Sequence, residues 1–296
     1  MKRILSFLLA AALCTACACS FVPKREEEPL FTYETSDPVI VETDGNVMTM
    51  NFFRDGLKIY GRIYLPSGDG VFPAVLLSQG MRANFATNKD IAEAFADAGF
   101  AAVIYEFIGG SDSGKSDGEA KDMSVLTEAA DICAVMDEVK TLPMIDGGNI
   151  FLWGHSLGGL AATTAACVRK DEVRGLIAVE PSYQGRDQVP EIVGDVNNIP
   201  EIMYTPIFAG RAYFEDLLSY DVYELMPDYD GNVLMFKGTQ EYTIGHDMPQ
   251  YLDRAAQTFP SCETVTAEGA DHAFSVPECR RMMTEKSIEF MRENVK

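Results

Sequence analysis

Short β-rich apolar runs at 74–77, 100–105, 150–153, 175–179, 233–236 and 264–266 alternate with segments of helical periodicity at 90–98, 122–140, 157–169, 249–258 and 277–294. In the second helical segment Val125, Ala129, Ile132, Met136 and Val139 recur at three- and four-residue steps, which draws a single apolar stripe. Strands that alternate with helices are joined by crossovers, and crossovers give a mostly parallel sheet covered on both faces. Upstream, 47–53 and 57–65 alternate apolar with polar residues around Arg54-Asp55-Gly56, the pattern of an antiparallel hairpin. The expected class is therefore α/β, with an eight-stranded, mostly parallel sheet and helices on both faces.

The alternation breaks once. Residues 181–231 are too many for an ordinary connection, so an inserted lid is expected there. The stretch holds eight aromatics and ten acids against two arginines, which predicts an apolar, acidic pocket wall suited to a neutral substrate with a ring or alkyl group.

The N-terminus has a different character. Lys2 and Arg3 precede an apolar run over 4–13, then small residues and Cys14, Cys17 and Cys19, the order of an export signal over 1–19. The run is too short to span a bilayer, which takes roughly twenty residues. Cys17, after Thr15-Ala16, resembles the lipidated cysteine of bacterial lipoprotein signals; Cys19 is the alternative, and neither has the usual Leu three residues upstream. Residues 20–37, with Lys24-Arg-Glu-Glu-Glu28, are expected to be a solvated tether, and 38–296 a single domain. Cys133 and Cys167 fall in apolar helical patterns, whereas pairing of Cys262 with Cys279 is left open.

Lys and Arg total 24 against 45 Asp and Glu, a formal charge of -21. That field repels nucleic acid and anionic lipid, so membrane contact is expected only through an N-terminal lipid. With three histidines in all, a catalytic imidazole must be His155, His246 or His272.

Gly154-His155-Ser156-Leu157-Gly158-Gly159 follows the apolar run at 150–153 and opens a helical segment, the context of a nucleophile elbow. Its glycines allow close backbone approach, and the Leu157 N–H at the helix start faces the oxyanion that forms when Ser156 attacks a carbonyl. A serine hydroxyl needs an imidazole to take its proton and a carboxylate to orient that imidazole. His272, in Gly269-Ala-Asp-His-Ala-Phe274 beyond the last strand, is the expected base, with His246 as its rival. His155 is expected to pack or hydrogen-bond. The acid is expected after the strand at 233–236, where Glu241 is the choice, Asp247 the alternative and Asp271 less well placed.

These residues, with Ser78-Gln79-Gly80-Met81, Tyr105-Glu-Phe-Ile-Gly-Gly-Ser-Asp-Ser113 and Gly238-Thr-Gln-Glu241, resemble the α/β-hydrolase superfamily over most of 57–296, in particular bacterial cinnamoyl and feruloyl esterase-like and lysophospholipase-like serine hydrolases. The resemblance implies an α/β-hydrolase fold with an inserted lid, Met81 N–H as the second oxyanion donor and no cofactor. The chain departs from the pattern at Gln79, where His is usual, at Ile108, where Arg is common, and at Glu241, where Asp is usual.

One rival motif is present. Gly109-Gly-Ser-Asp-Ser-Gly114-Lys115-Ser116 fits the phosphate-loop pattern, yet helical periodicity begins only near Asp122, and Asp112, Asp117 and Glu119 repel phosphate. A non-catalytic binding module would be expected to have lost the triad residues, and the dispersed histidines lack metalloprotease spacing. The expectation is an exported serine hydrolase of a small neutral carboxylic ester; peptide or amide cleavage uses the same residues and stays open.

Overall fold

In the computed structural model, which describes residues 29–111, 113–204, 208–240 and 248–296, the chain enters through β1 (Val39–Asp44), β2 (Val47–Arg54), β3 (Leu57–Tyr64) and β4 (Phe72–Ser78). It continues through α1 (Lys89–Asp97), β5 (Ala101–Tyr105), α2 (Val125–Lys140), β6 (Ile145–His155), α3 (Leu157–Val168) and β7 (Val173–Val179). The inserted stretch carries α4 (Gly185–Val193), β8 (Ile202–Met203), β9 (Ala209–Gly210), α5 (Arg211–Ser219) and α6 (Val222–Leu225). The chain closes with β10 (Asn232–Gln240), α7 (Met248–Thr258), β11 (Cys262–Asp271) and α8 (Pro277–Asn294).

The main sheet has nine strands rather than the eight expected, in the order β1-β2-β3-β5-β4-β6-β7-β10-β11. The additional strand is β1, an antiparallel edge strand on β2 whose six residues are all exposed. It buries no face, and so it leaves no alternation to read. The hairpin between β2 and β3 closes through Asp55 and Gly56, at φ 53° and 78°, the left-handed pair that a two-residue turn requires. From β5 through β11 the pairings are parallel. β2 alternates half-buried with buried residues, whereas β5 is buried throughout, as befits strands covered on one face and on two.

Each face of the sheet has its own core. One is built with α2, α3 and α7 through residues such as Ile132, Leu160 and Leu252, the other with α1 and α8 through Phe95, Met283 and Phe290. In α3 every residue from Leu157 to Cys167 is buried, so the helix that opens at Ser156 is enclosed by the rest of the molecule.

The tether expected over 20–37 is docked in its last part. Phe31 and Tyr33 pack on the core, the Tyr33 hydroxyl donates to Asp137 at 2.7 Å, and Thr35 bridges to Arg54. An aromatic ring with a polar tip gains by burying one end and bonding the other, and charge-rich flanks do not prevent it. All four described cysteines are free, Cys262 and Cys279 included.

Candidate active site

β6 ends at His155 and α3 begins at Leu157, which leaves Ser156 alone to make the turn. It does so at φ 56°, ψ -122°, a strained conformation for a residue with a side chain. Two glycines make this turn possible. A Cβ on Gly154 would lie 2.3 Å from the Gly158 carbonyl oxygen, and one on Gly158 would lie 2.2 Å from that of Gln79. The Ser156 N–H donates to Val179 O at 3.0 Å, which ties the turn to the neighbouring strand.

β10 and β11 run parallel to β6 and β7, so the residue after β11 emerges at the same sheet edge as the residue after β6. His272 Nε2 lies 3.0 Å from Ser156 Oγ. Burial pushes the His272 imidazole down to about 4, against the opposing pull of the Asp271 carboxylate. The ring is then neutral at neutral pH, and its Nε2 lone pair can receive the serine proton. Asp271 itself accepts from Ser275 N at 2.7 Å and from the Ser275 hydroxyl, and so holds the turn that follows β11. His155 donates from Nε2 to the His272 carbonyl at 2.7 Å, the bonding role expected of it, and thereby anchors the His272 backbone. Glu241, Asp247 and His246 lie outside the described residues, as do Cys17 and Cys19.

Gly80 and Met81 follow β4. A Cβ on Gly80 would lie 3.2 Å from Ser156 Cβ, so this backbone runs directly against the serine. Met81, Leu157, Ser156 and His272 together line a cleft of about 560 Å³, a volume in the range of small-molecule sites. Its walls include Thr87, Gln184, Glu191, Ile192 and Tyr213.

The aromatics of 181–231 serve mainly as packing, not as the pocket wall expected of them. Tyr183, Phe214 and Tyr229 are buried, and the hydroxyls of Tyr183 and Tyr220 bond Thr163 and Thr164 of α3 at 2.8 and 2.9 Å. Among the described residues of this stretch, Tyr213 is the aromatic and Glu191 the acid that line the cleft. Composition counted these side chains correctly; their direction depends on helix registers that composition does not encode. Ser182, also in the cleft wall, was not singled out from sequence. Its signal is positional, because it follows β7 at the same sheet edge as Ser156 and His272.

The phosphate-loop lookalike has another occupant. The Lys115 and Ser116 N–H groups donate to Glu106 Oε2, the Ser116 hydroxyl donates to Glu106 O at 2.7 Å, and the Lys115 ammonium sits 4.4 Å from the centre of the Tyr60 ring. Glu106 is buried, and α2 starts only at Val125, so the loop does not open directly into that helix.

The family described as "Serine aminopeptidase, S33" matches residues 71–261, more than half of the chain. Thiohydrolase aneE of Aspergillus aculeatus is 28% identical over 72% of this chain and 65% of its own length. Thiohydrolase apmlB of Arthrinium phaeospermum is 31% identical over 43% of this chain and 40% of its own length. The chain thus spans less than two thirds of the curated relatives it matches. In fold it is similar to ferulic acid-bound Est1E from Butyrivibrio proteoclasticus, with a TM-score of 0.73 at 23% identity over 81% of this chain and 96% of that one. It is also similar to DcsB in complex with its substrate analogue, with a TM-score of 0.67 at 23% identity over 89% and 99% of the two chains. With the strand order, the elbow and the family match in agreement, the chain belongs to the serine aminopeptidase S33 family of α/β hydrolases.

Proposed function

We propose that the protein is an exported serine hydrolase of neutral carboxylic esters that works through an acyl-enzyme. The observation that carries this reading is the 3.0 Å approach of His272 Nε2 to the oxygen of Ser156, itself held at φ 56° on a strand-to-helix turn at the edge of an open cleft. Ser156 attacks the carbonyl carbon while His272 takes its proton. The N–H groups of Met81 and Leu157 stabilise the oxyanion, and the imidazolium returns the proton to the leaving alcohol. A water that His272 deprotonates then releases the acid. Glu241 orients His272, with Asp247 as the alternative. Cys17 is the proposed site of lipidation after export.

Short-acyl and hydroxycinnamoyl esters are the proposed substrates, a reading consistent with the ferulic acid bound to the structurally similar Est1E. Thioesters belong in the same test, since three relatives are named thiohydrolases and the chemistry is shared. An aminopeptidase is the second reading, favoured by the family description and by the Glu191 carboxylate in the cleft wall, which suits a substrate ammonium. The test is fluorophosphonate labelling of wild type and Ser156→Ala, followed by turnover of p-nitrophenyl acyl esters, methyl hydroxycinnamates, acyl thioesters and aminoacyl p-nitroanilides. Labelling and ester turnover should be present in wild type and at least about 10⁴-fold lower in Ser156→Ala. A folded wild type that takes no label overturns the reading; turnover of the anilides alone selects the peptidase. Retained activity in Glu241→Ala with loss in Asp247→Ala would reassign the acid.

A further inference from the structure

Among the described residues, Ser156 Oγ has two hydroxyl or imidazole neighbours: His272 Nε2 at 3.0 Å and Ser182 Oγ at 3.3 Å. A serine hydroxyl carries one proton. If that proton points at the neutral imidazole, as attack requires, the bond between the two serines can be made only by the Ser182 proton, donated to Ser156 Oγ. We infer that Ser182 is a further catalytic residue, whose hydroxyl donates to the nucleophilic oxygen whenever that oxygen carries alkoxide character. The inference rests on the reading of Ser156 as nucleophile.

The placement of Ser182 is built rather than incidental. Glu180, just upstream, takes φ 43°, donates its N–H to Phe236 O at 3.0 Å and accepts the Gly238 N–H on its own carboxylate. Pro181 packs where a Cβ on Gly159 would lie, 2.9 Å from its own Cβ. The Ser182 N–H then donates to Ser156 O at 3.0 Å. These contacts fix the backbone that leads into Ser182 and leave its side chain one torsion with which to reach Ser156. A donor held in advance of the reaction stabilises charge without reorganising, the condition under which such bonds contribute most.

The chemistry balances without a new reactant. In acylation the bond from Ser156 Oγ to the carbonyl carbon forms as the O–H proton passes to His272, and the Ser182 hydroxyl shares the transient charge on Oγ. In deacylation water adds to the acyl carbon as His272 removes its proton. The bond from carbon to Oγ then breaks, its electron pair stays on Oγ, and His272 returns the proton there. Ser182 keeps its own proton throughout. Its contribution therefore falls on the steps that make or break the bond to Oγ, and not on substrate binding.

Ser182→Ala removes the hydroxyl and keeps the backbone bond to Ser156 O, whereas Ser182→Thr restores a hydroxyl. With the full chain, p-nitrophenyl acetate turnover and the rate of fluorophosphonate labelling should each fall about tenfold in Ser182→Ala, as expected for loss of one charge-assisted hydrogen bond. KM should stay within about twofold, and Ser182→Thr should recover most of the rate. An active, Ser156-dependent wild type whose Ser182→Ala variant keeps kcat within about twofold overturns this inference alone. So does a loss confined to KM, or a Thr variant no faster than the Ala variant. A wild type that Ser156→Ala does not silence overturns the nucleophile assignment and this inference with it.

Discussion

Two glycine-rich segments follow strands in this molecule, and they have opposite fates. The segment after β6 holds Ser156 in a strained turn, with its hydroxyl directed at His272 and the cleft. The segment after β5, Gly109 to Ser116, has the glycine, lysine and serine spacing of a phosphate cradle, yet the N–H groups of Lys115 and Ser116 are turned onto Glu106 of the same chain. The difference teaches that a loop's capacity for a ligand lies in which of its donors and acceptors remain unspent. A buried carboxylate three residues before the first glycine takes the two N–H groups, of Lys115 and Ser116, that a phosphate would otherwise meet at the lysine end of the loop.

The contrast breaks most severely at Gly158. An added methyl there meets a backbone oxygen of Gln79 at 2.2 Å, so Gly158→Ala should cost more than about 4 kcal/mol and yield little folded protein, measured by thermal or chemical unfolding. On the same side, acid should silence the elbow by protonating His272. Burial lowers its folded-state value to about 4, so kcat/KM should hold from neutral pH downward and reach half its plateau near that value. A half-maximum nearer the ordinary histidine value would show that a carboxylate partner, as proposed for Glu241, offsets the burial of His272.

On the other side, Glu106→Ala strips the loop of its acceptor and orphans the N–H groups of Lys115 and Ser116. A loss of about 2–3 kcal/mol in unfolding free energy is expected, with the rate of fluorophosphonate labelling little changed. The smallest effect belongs to Lys115→Ala, which forfeits a cation–π contact with Tyr60 worth about 1 kcal/mol or less and should leave ATP titrations as flat as in wild type. Saturable ATP binding lost in that variant would erase the contrast between the two segments.

Much of the sheet was legible because its central strands are buried on two faces and helices such as α1 and α8 on one stripe, and both conditions write themselves into residue periods. The runs at 74–77, 150–153 and 233–236 sit inside β4, β6 and β10. The helical segment at 277–294 coincides with α8. β1 escaped because an exposed edge strand has no buried face to impose a pattern. Tyr33 escaped because its partners Asp137 and Arg169 lie over a hundred positions away along the chain. The juxtaposition of Ser156 and His272 was legible because an elbow needs its glycines in immediate sequence and His272 directly follows the last strand. Ser182 was not, since nothing local marks a serine whose role comes from the oxygen it meets across the sheet edge.

Alone, the sequence determined the alternation of strands and helices, the elbow, the scarcity of histidine and the surplus of negative charge, because each is a property of local spacing or of a sum. Only the tertiary structure decided which glycine-rich loop keeps an open partner, that Tyr183 and Tyr220 bond α3 while Tyr213 faces the cleft, and that Ser182 stands beside Ser156. Those outcomes turn on distances of about three ångströms between residues far apart in the chain, a scale set by hydrogen-bond geometry and packing.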